Sequence, residues 1–278
     1  MRELAKKGNR LVGKVWGVGE RVFGKDMEKR RWIFDKLVKS VMVYGAEIWG
    51  WKVWEKMEKI QEKYWRWTLG LNRETPGYIV EEETKFEKIR VQTGKRAVKY
   101  EEEVKKRNEI VMVNECMREI RKERIRYGQE ERRLFYERVG YAREEIERRR
   151  EEGRDMVEEL VARDKDVQGQ ERRERIAEGR YNEGYMEIMV EGKADYIVSG
   201  MELKEKRMVA RFRCGNEENE SRYWWEDEKR ICRMCGEGRE TIWHMMREKV
   251  ILGVKGEGVE WMKGVLESRE RVERRGQV

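Results

Sequence analysis

The chain has 278 residues and a mass of 33.9 kDa, which leaves room for two domains. Charged residues make up 44% of it and the mean hydropathy is −1.02, and no apolar run approaches transmembrane length. Eleven tryptophans and fifteen methionines supply apolar area, which argues against a simple disordered polyampholyte. Four cysteines are too few for a disulfide framework, and the start of the chain shows no signal peptide. We therefore expect a reducing, intracellular location, in the cytoplasm or the nucleus, and no partnership with a membrane.

The composition predicts a mostly helical fold, because it contains one proline and is rich in the helix formers Lys, Arg, Glu and Met. The first 25 residues read as a short segment dotted with glycines. Asp26 is placed to cap a long helix that runs to about Trp49. Its apolar positions recur at helical spacing and are Trp32, Ile33, Leu37, Val41 and Tyr44.

A second helix is predicted from Lys52 to Leu69, with a stripe of apolar residues at spacings of three and four. We expect this stripe, which consists of Val53, Met57, Ile60, Tyr64 and Trp67, to face the core. Residues 72–77 contain the proline and predict a turn, after which a helical pattern continues to about Val104.

Residues 105–190 are dense in arginine and glutamate of interleaved sign, a pattern typical of solvated or partly coiled-coil helices. Gly153 and Gly169 are the predicted breaks in this region. A further helix is predicted over residues 200–214. Another amphipathic helix, which includes Trp261 and Val265, closes the chain.

A cysteine motif precedes that last helix. Cys232 and Cys235 form a Cys-x₂-Cys pair, and His244, the only histidine of the chain, follows nine residues after the second cysteine. Thiolates and imidazole are preferred ligands of Zn²⁺, so this spacing predicts three quarters of a zinc site. The candidates for a fourth ligand are Cys214, a water or a partner group. The sequence thus predicts an incomplete site that binds Zn²⁺ weakly, whereas two buried cysteines and a surface histidine are the alternative.

The net charge of +8 is concentrated at one end. Residues 1–70 contain 17 Lys and Arg and 9 Asp and Glu, so they carry the whole excess. A basic face of this kind predicts contact with the phosphate backbone of RNA or DNA. The alternative is that these side chains only keep a tryptophan-rich segment in solution. The candidate phosphate-binding residues are Lys29, Arg30, Arg31, Lys36, Lys39, Lys63 and Arg66.

Catalytic patterns are scarce in this chain. A single histidine argues against nucleophile–histidine pairs, and the Asp-x-Asp formed by Asp164 and Asp166 lies in a charged stretch without an apolar strand. Glycine-rich phosphate loops are also missing from the sequence. We therefore predict a protein without catalytic activity.

Four segments precede the cysteine motif in a fixed order: residues 37–50, 60–70 with 73–78, 211–216 and 222–224. Together with that motif they resemble the C-terminal part of non-LTR retrotransposon reverse transcriptases of the insect type. Residues 37–50 resemble the segment that follows the palm in that family, and residues 60–70 with 73–78 resemble its next hallmark. Residues 211–216 and 222–224 are similar to the lead-in to its terminal cysteine motif. That motif is matched at Cys232, Cys235, Glu240, Thr241 and His244. Its final cysteine is missing, with Lys249 near the expected place, and the sequence after His244 resembles a short deletion more than a point substitution.

The resemblance implies three regions: a thumb-like helical bundle over residues 1–104, a charged helical connector over 105–198 and a Cys/His knuckle-like module over 199–278. It implies a fragment that handles template or primer, while the catalytic fingers and palm belong upstream. The function expected from it is non-sequence-specific nucleic-acid binding. A helical scaffold protein and the translation of a non-functional pseudogene remain open as alternatives.

Overall fold

The fold is mostly α-helical, as the composition predicted. The computed structural model describes residues 2–106, 115, 128–251 and 258–275, and these ranges contain no β-strand, only one isolated bridge between Ile231 and Arg239. Most of residues 107–127 of the predicted connector, Cys116 included, lie outside the described residues. No helix in the described ranges combines the length and the apolar character needed to cross a bilayer.

Seven helices form the N-terminal part of the described chain, and two of them continue into π-helical turns, at Gly19–Phe23 and Phe34–Lys39. The seven are α1 (Arg2–Val18), α2 (Met27–Ile33), α3 (Ser40–Met42), α4 (Ala46–Trp49), α5 (Glu55–Leu69), α6 (Gly77–Thr84) and α7 (Ile89–Lys106). The glycine-dotted start of the chain is therefore helical over most of its length.

The predicted cap and turn are both confirmed. The Asp26 carboxylate accepts the backbone N–H of Lys29 at 2.9 Å, which satisfies a free donor in the first turn of α2. Pro76 precedes the first residue of α6 in extended conformation. The long helix predicted to reach Trp49 instead ends at Met42, because Gly45 adopts a left-handed conformation that starts a new helix.

The apolar residues that recur at helical spacing in that helix do not share one buried face. Trp32, Leu37 and Tyr44 are exposed, whereas Phe34, Val38 and Met42 are buried. The π-helical turn at residues 34–39 places more residues in each turn than an α-helix does, so the buried face follows a spacing of four. Helix α5 begins at Glu55 and not at the predicted Lys52, so Val53 lies before it. The centre of the stripe is confirmed, because Met57, Ile60 and Tyr64 are buried, whereas Val53 and Trp67 are exposed.

The remaining helices follow after residue 128, with 3₁₀ turns at Glu183–Ile188 and Asp227–Arg230. They are α8 (Gln129–Arg138), α9 (Arg143–Glu151), α10 (Val157–Glu178), α11 (Asp195–Val198), α12 (Leu203–Arg213), α13 (Ile242–Ile251) and α14 (Gly258–Arg275). Gly153 has a positive φ in the turn after α9, as expected of a break. Gly169 lies inside α10, so the break predicted there is wrong.

The contacts divide the chain into two compact units built from alternating segments. The first contains Met1–Val15, Ile33–Gln61 and Glu87–Glu171, and the second contains Trp16–Trp32, Glu62–Phe86 and Arg172–Val278. This division interleaves along the sequence, whereas the three predicted domains are consecutive. The boundaries expected at residues 105 and 199 stay predictions.

The first unit buries an aromatic core beneath its charged helices. Phe135 and Tyr136 of α8 pack edge-on against Trp51, at ring distances of 5.4 and 5.7 Å, and Ile146 and Leu160 complete the cluster. The arginine- and glutamate-rich segment therefore contributes a hydrophobic face of its own.

The second unit contains a smaller core near the C-terminus. Phe212 of α12, Met245 of α13 and both Trp261 and Val265 of α14 form it. Met245 thereby anchors α13, the helix that carries His244 of the cysteine motif.

Candidate metal centre

The Cys-x₂-Cys pair lies in a tight loop closed by backbone hydrogen bonds. The N–H of Cys232 donates to the carbonyl of Gly238 at 3.0 Å, and the N–H of Gly236 donates to the carbonyl of Cys232 at 2.9 Å. Gly236 and Gly238 both have positive φ, at 69° and 64°, a conformation that other residues rarely adopt. The loop thereby directs both sulfurs to one side, where helix α13 begins.

Helix α13 supplies the other half of the site. The hydroxyl of Thr241 accepts the N–H of His244 at 3.0 Å, and the carboxylate of Glu218 accepts the N–H of Ile242 at 2.7 Å, so the first turn is capped twice. Glu248 lies four residues after His244 and hence on the same face of the helix.

Four side chains converge between the loop and this helix. The ligand atoms of Cys232, Cys235, His244 and Glu248 all lie within 4.8 Å of one another, so the group could hold a metal ion. Glu248 Oε1 lies 2.9 Å from the Cys232 sulfur and 3.0 Å from His244 Nε2. The Cys235 sulfur lies 3.2 Å from His244 Nε2. Zinc bonds of about 2.0–2.3 Å imply tetrahedral ligand separations of about 3.3–3.8 Å, close to these distances.

The surroundings of the two thiols differ. Burial, with the contact to Glu248 as the next cause, raises the pKa of the Cys232 thiol to about 12, and burial also raises the pKa of the more exposed Cys235. The backbone N–H of Met234 lies 3.4 Å from the Cys232 sulfur, and that of Glu237 lies 3.3 Å from the Cys235 sulfur. These N–H groups point at the atoms that become negative when a metal displaces the thiol protons.

A buried ion network surrounds the loop. Glu240 is fully buried and pairs with Arg233 at 2.9 Å and with Arg269 of α14. Its backbone N–H donates to the carbonyl of Arg230 at 2.9 Å, and its carbonyl accepts the N–H of Glu220 at 3.1 Å. Glu240 thus ties three chain segments together beside the four converging side chains.

The fourth member of the group was missed by the sequence analysis. Glu248 is buried, and it lies one residue before Lys249, near which a cysteine was expected. The structure thus places a fourth potential ligand beside the three that the sequence predicted. A single glutamate gives little signal in a chain that is 44% charged, and only its spacing of four from His244 could have identified it.

Cys214 does not belong to this group. Its thiol is fully buried at the end of α12, and burial raises its pKa far above the usual value, with the nearby carboxylate of Glu83 as a second cause. The Asn216 side chain donates to the carbonyl of Cys214 at 3.0 Å, and Cys214 is not among the converging ligands.

Two of the seven candidate phosphate-binding residues are unavailable to a phosphate. Arg30 is fully buried, pairs with Glu20 at 2.7 Å and donates to the carbonyl of Gly24. Lys39 is also buried and lies 3.7 Å from Asp35. The basic count of the sequence could not distinguish these structural cations from exposed ones.

Of the other five candidate residues, three contact other parts of the protein and two are exposed. Arg31 donates to the carbonyl of Lys85, Arg66 donates to that of Thr75 at 2.9 Å, and Lys63 lies over the Trp67 ring. Lys29 and Lys36 are exposed.

Comparison of the chain with protein-family models, with curated proteins and with solved structures finds no match.

Proposed function

We propose that the C-terminal part of this protein is a zinc-stabilised module, held by Cys232, Cys235, His244 and Glu248. The observation that carries the proposal is the convergence of four ligand atoms within 4.8 Å. Two sulfurs, an imidazole and a carboxylate form a donor set that suits Zn²⁺ better than Ca²⁺ or Mg²⁺, which prefer oxygen alone. Four protein ligands complete a tetrahedron and leave no open position, so the role is structural.

The loop needs such a cross-link because it has almost no hydrophobic core. Between residues 215 and 244, Cys232 is the one hydrophobic side chain that is buried. A segment of this kind buries too little apolar area to offset the entropy of ordering it. A bound metal supplies the missing free energy, since binding to ligands that meet only in the folded state is coupled to folding.

The experiment is a Co²⁺ and Zn²⁺ titration of the whole chain. Co²⁺ should give the charge-transfer absorption of thiolate ligands and the intense visible bands of tetrahedral coordination, and Zn²⁺ should displace it with one equivalent. Glu248→Gln should weaken binding about 10- to 100-fold, and Cys232→Ser should weaken it more. Cys214→Ser is the matched control and should bind as the wild type does. Equal affinity in Glu248→Gln and the wild type would contradict the four-ligand site.

Within the resemblance described above, the module would belong to the C-terminal region of a non-LTR retrotransposon reverse transcriptase whose fingers and palm lie upstream. The chain itself would be a non-catalytic, non-sequence-specific binder of RNA or DNA, located in the cytoplasm or the nucleus. The motif order and the basic bias of residues 1–70 support this proposal.

An aromatic surface in the second unit also supports nucleic-acid contact. Trp224 is stacked on the buried ring of Tyr181 and is itself half exposed, as is Tyr223 beside it. The neighbouring Arg222 lies 4.3 Å from the ring centre of Trp225 and forms no salt bridge with any described residue. Exposed rings beside a guanidinium that has no ion-pair partner are the elements that bind single-stranded nucleic acid by stacking and phosphate contact.

Fluorescence anisotropy with a single-stranded oligonucleotide, measured over a salt series, tests this second part. We expect affinity to fall steeply as salt rises. Trp224→Ala should weaken binding about 5- to 100-fold, as expected for one lost stacking contact. Trp32→Ala, which removes a comparably exposed ring elsewhere, is the control and should leave the affinity unchanged. Absence of binding at low salt would favour the helical scaffold instead.

A further inference from the structure

A cavity of about 400 Å³ lies in the second unit, outside the metal group. Its walls come from the segment around the 3₁₀ turn at Glu183–Ile188, from residues 218–221 and from the start of α13. This volume lies within the range of sites that accept a small ligand or a side chain.

The first half of the wall is apolar and includes a tryptophan. Ile188, Ile242 and Met246 line the cavity, and Trp243 contributes an indole that is 50% exposed. A Cβ atom built on Gly184 would lie 3.3 Å from the indole nitrogen, so this edge of the ring rests on the glycine backbone. The ring is thereby held in place and still accessible.

The second half of the wall is acidic. Glu183, Glu187, Glu218 and Glu220 line the cavity, and Arg180 is the one basic residue among them. Glu218 is occupied by Ser221 and by the N–H of Ile242, and Glu220 pairs with Arg230 and Arg239.

The other two carboxylates that line the cavity, those of Glu183 and Glu187, are accessible to a ligand. Glu183 and Glu187 are exposed, and neither forms a salt bridge with a described residue. An accessible indole beside two such carboxylates attracts a cation and repels phosphate.

We propose that this cavity binds a cationic side chain, foremost arginine, of a basic partner peptide. The planar guanidinium stacks on the indole of Trp243, and its N–H groups reach the carboxylates of Glu183 and Glu187. The aliphatic part of the side chain lies along Ile188 and Met246. Carboxylates outnumber the one arginine that lines the cavity, so the lining favours a cation over a phosphate. Because residues 218–221 belong to the loop that zinc is proposed to order, this inference rests on that part of the proposed function.

The test uses the whole zinc-loaded chain and a fluorescein-labelled peptide of alternating glycine and arginine, followed by anisotropy. The comparison peptide contains citrulline, which has the shape of arginine without its charge. We expect the citrulline peptide to bind at least tenfold more weakly, because it lacks the cation–π contact and the charge-assisted hydrogen bonds. Equal affinity for the two peptides would overturn the proposal, and this comparison requires no variant that could misfold.

Two pairs of variants locate the binding. Trp243→Ala should weaken arginine-peptide binding about 5- to 30-fold, whereas Trp224→Ala, whose ring is exposed to a similar degree at 47%, should not. The double change Glu183→Gln and Glu187→Gln should also weaken it, whereas the exposed Glu228→Gln should leave it unchanged. A similar loss in the cavity and control variants would show attraction by the overall charge and would contradict the site.

Discussion

The helices of residues 129–178 and the loop of residues 215–244 are both rich in charge, yet they are stabilised differently. The helices bury Phe135, Tyr136, Ile146 and Leu160, whereas the loop buries one hydrophobic side chain, Cys232. Composition alone therefore does not tell which segment folds by hydrophobic burial. The difference indicates that a charged segment needs either an apolar face or a cross-link in order to fold. The loop has no apolar face, and four potential metal ligands converge in it.

The largest expected effect concerns the hydrophobic side of this comparison. Phe135→Ala should lower the free energy of unfolding of the first unit by about 3–5 kcal/mol, because it leaves a cavity against Trp51. The neighbouring Leu134 is half exposed, so Leu134→Ala should change stability by less than about 0.5 kcal/mol. Urea unfolding followed by circular dichroism measures both, and equal effects would mean that this helix face is not a core.

A second prediction concerns the ion network beside the metal group. Glu240→Gln should destabilise the second unit by about 3 kcal/mol, because it removes the carboxylate that faces Arg233 and the buried Arg269. Glu226→Gln, which removes an exposed pair with Lys229, should change stability by less than about 1 kcal/mol. Thermal unfolding of the zinc-loaded variants compares them, and an unaffected Glu240→Gln would show that the loop does not rely on this network.

A third prediction concerns how the free energy of unfolding of the first unit depends on pH. Glu58 accepts the N–H groups of Ile89 and Arg90 at 3.0 and 2.8 Å, and burial outweighs these bonds and raises its pKa to about 7. The folded state thus holds a proton that the unfolded state releases above its ordinary pKa of about 4.5. Stability should therefore fall as pH rises from about 4.5 to 7, by up to about 3 kcal/mol.

The measurement is the stability difference between the wild type and Glu58→Gln as a function of pH. The variant cannot ionise at this position, so the slope between pH 5 and 7 should become flatter. Glu55→Gln, an exposed change on the same helix, should keep the wild-type slope. A slope that is unchanged in Glu58→Gln would assign the titration to another group.

Local signals in the sequence predicted much of the helical framework. Asp26 as a cap, the turn at Pro76 and the centre of the α5 stripe are confirmed, because each depends on a few neighbouring residues. The pattern of burial over residues 32–44 could not be foreseen from one regular helix, because a π-helical turn at residues 34–39 and a left-handed Gly45 interrupt it.

The candidate site was predictable in the same local sense. Cys232, Cys235 and His244 have a spacing that metal sites share, and the structure brings these three together. Glu248 and the burial of Arg30 depend on tertiary packing, which turns one glutamate among many into a ligand and one arginine into a core residue.

Hydrogen–deuterium exchange with and without a strong zinc chelator tests the central claim most directly, because it observes both regions in one sample. The reporters in the loop are the backbone amides of Cys232, Gly236 and Glu240, whose hydrogen bonds close it. We predict that chelation increases exchange in the loop at least 100-fold and leaves the amides of residues 129–178 unchanged. Unchanged protection in the loop, or an equal loss in both regions, would contradict the account that a metal takes the place of a hydrophobic core there.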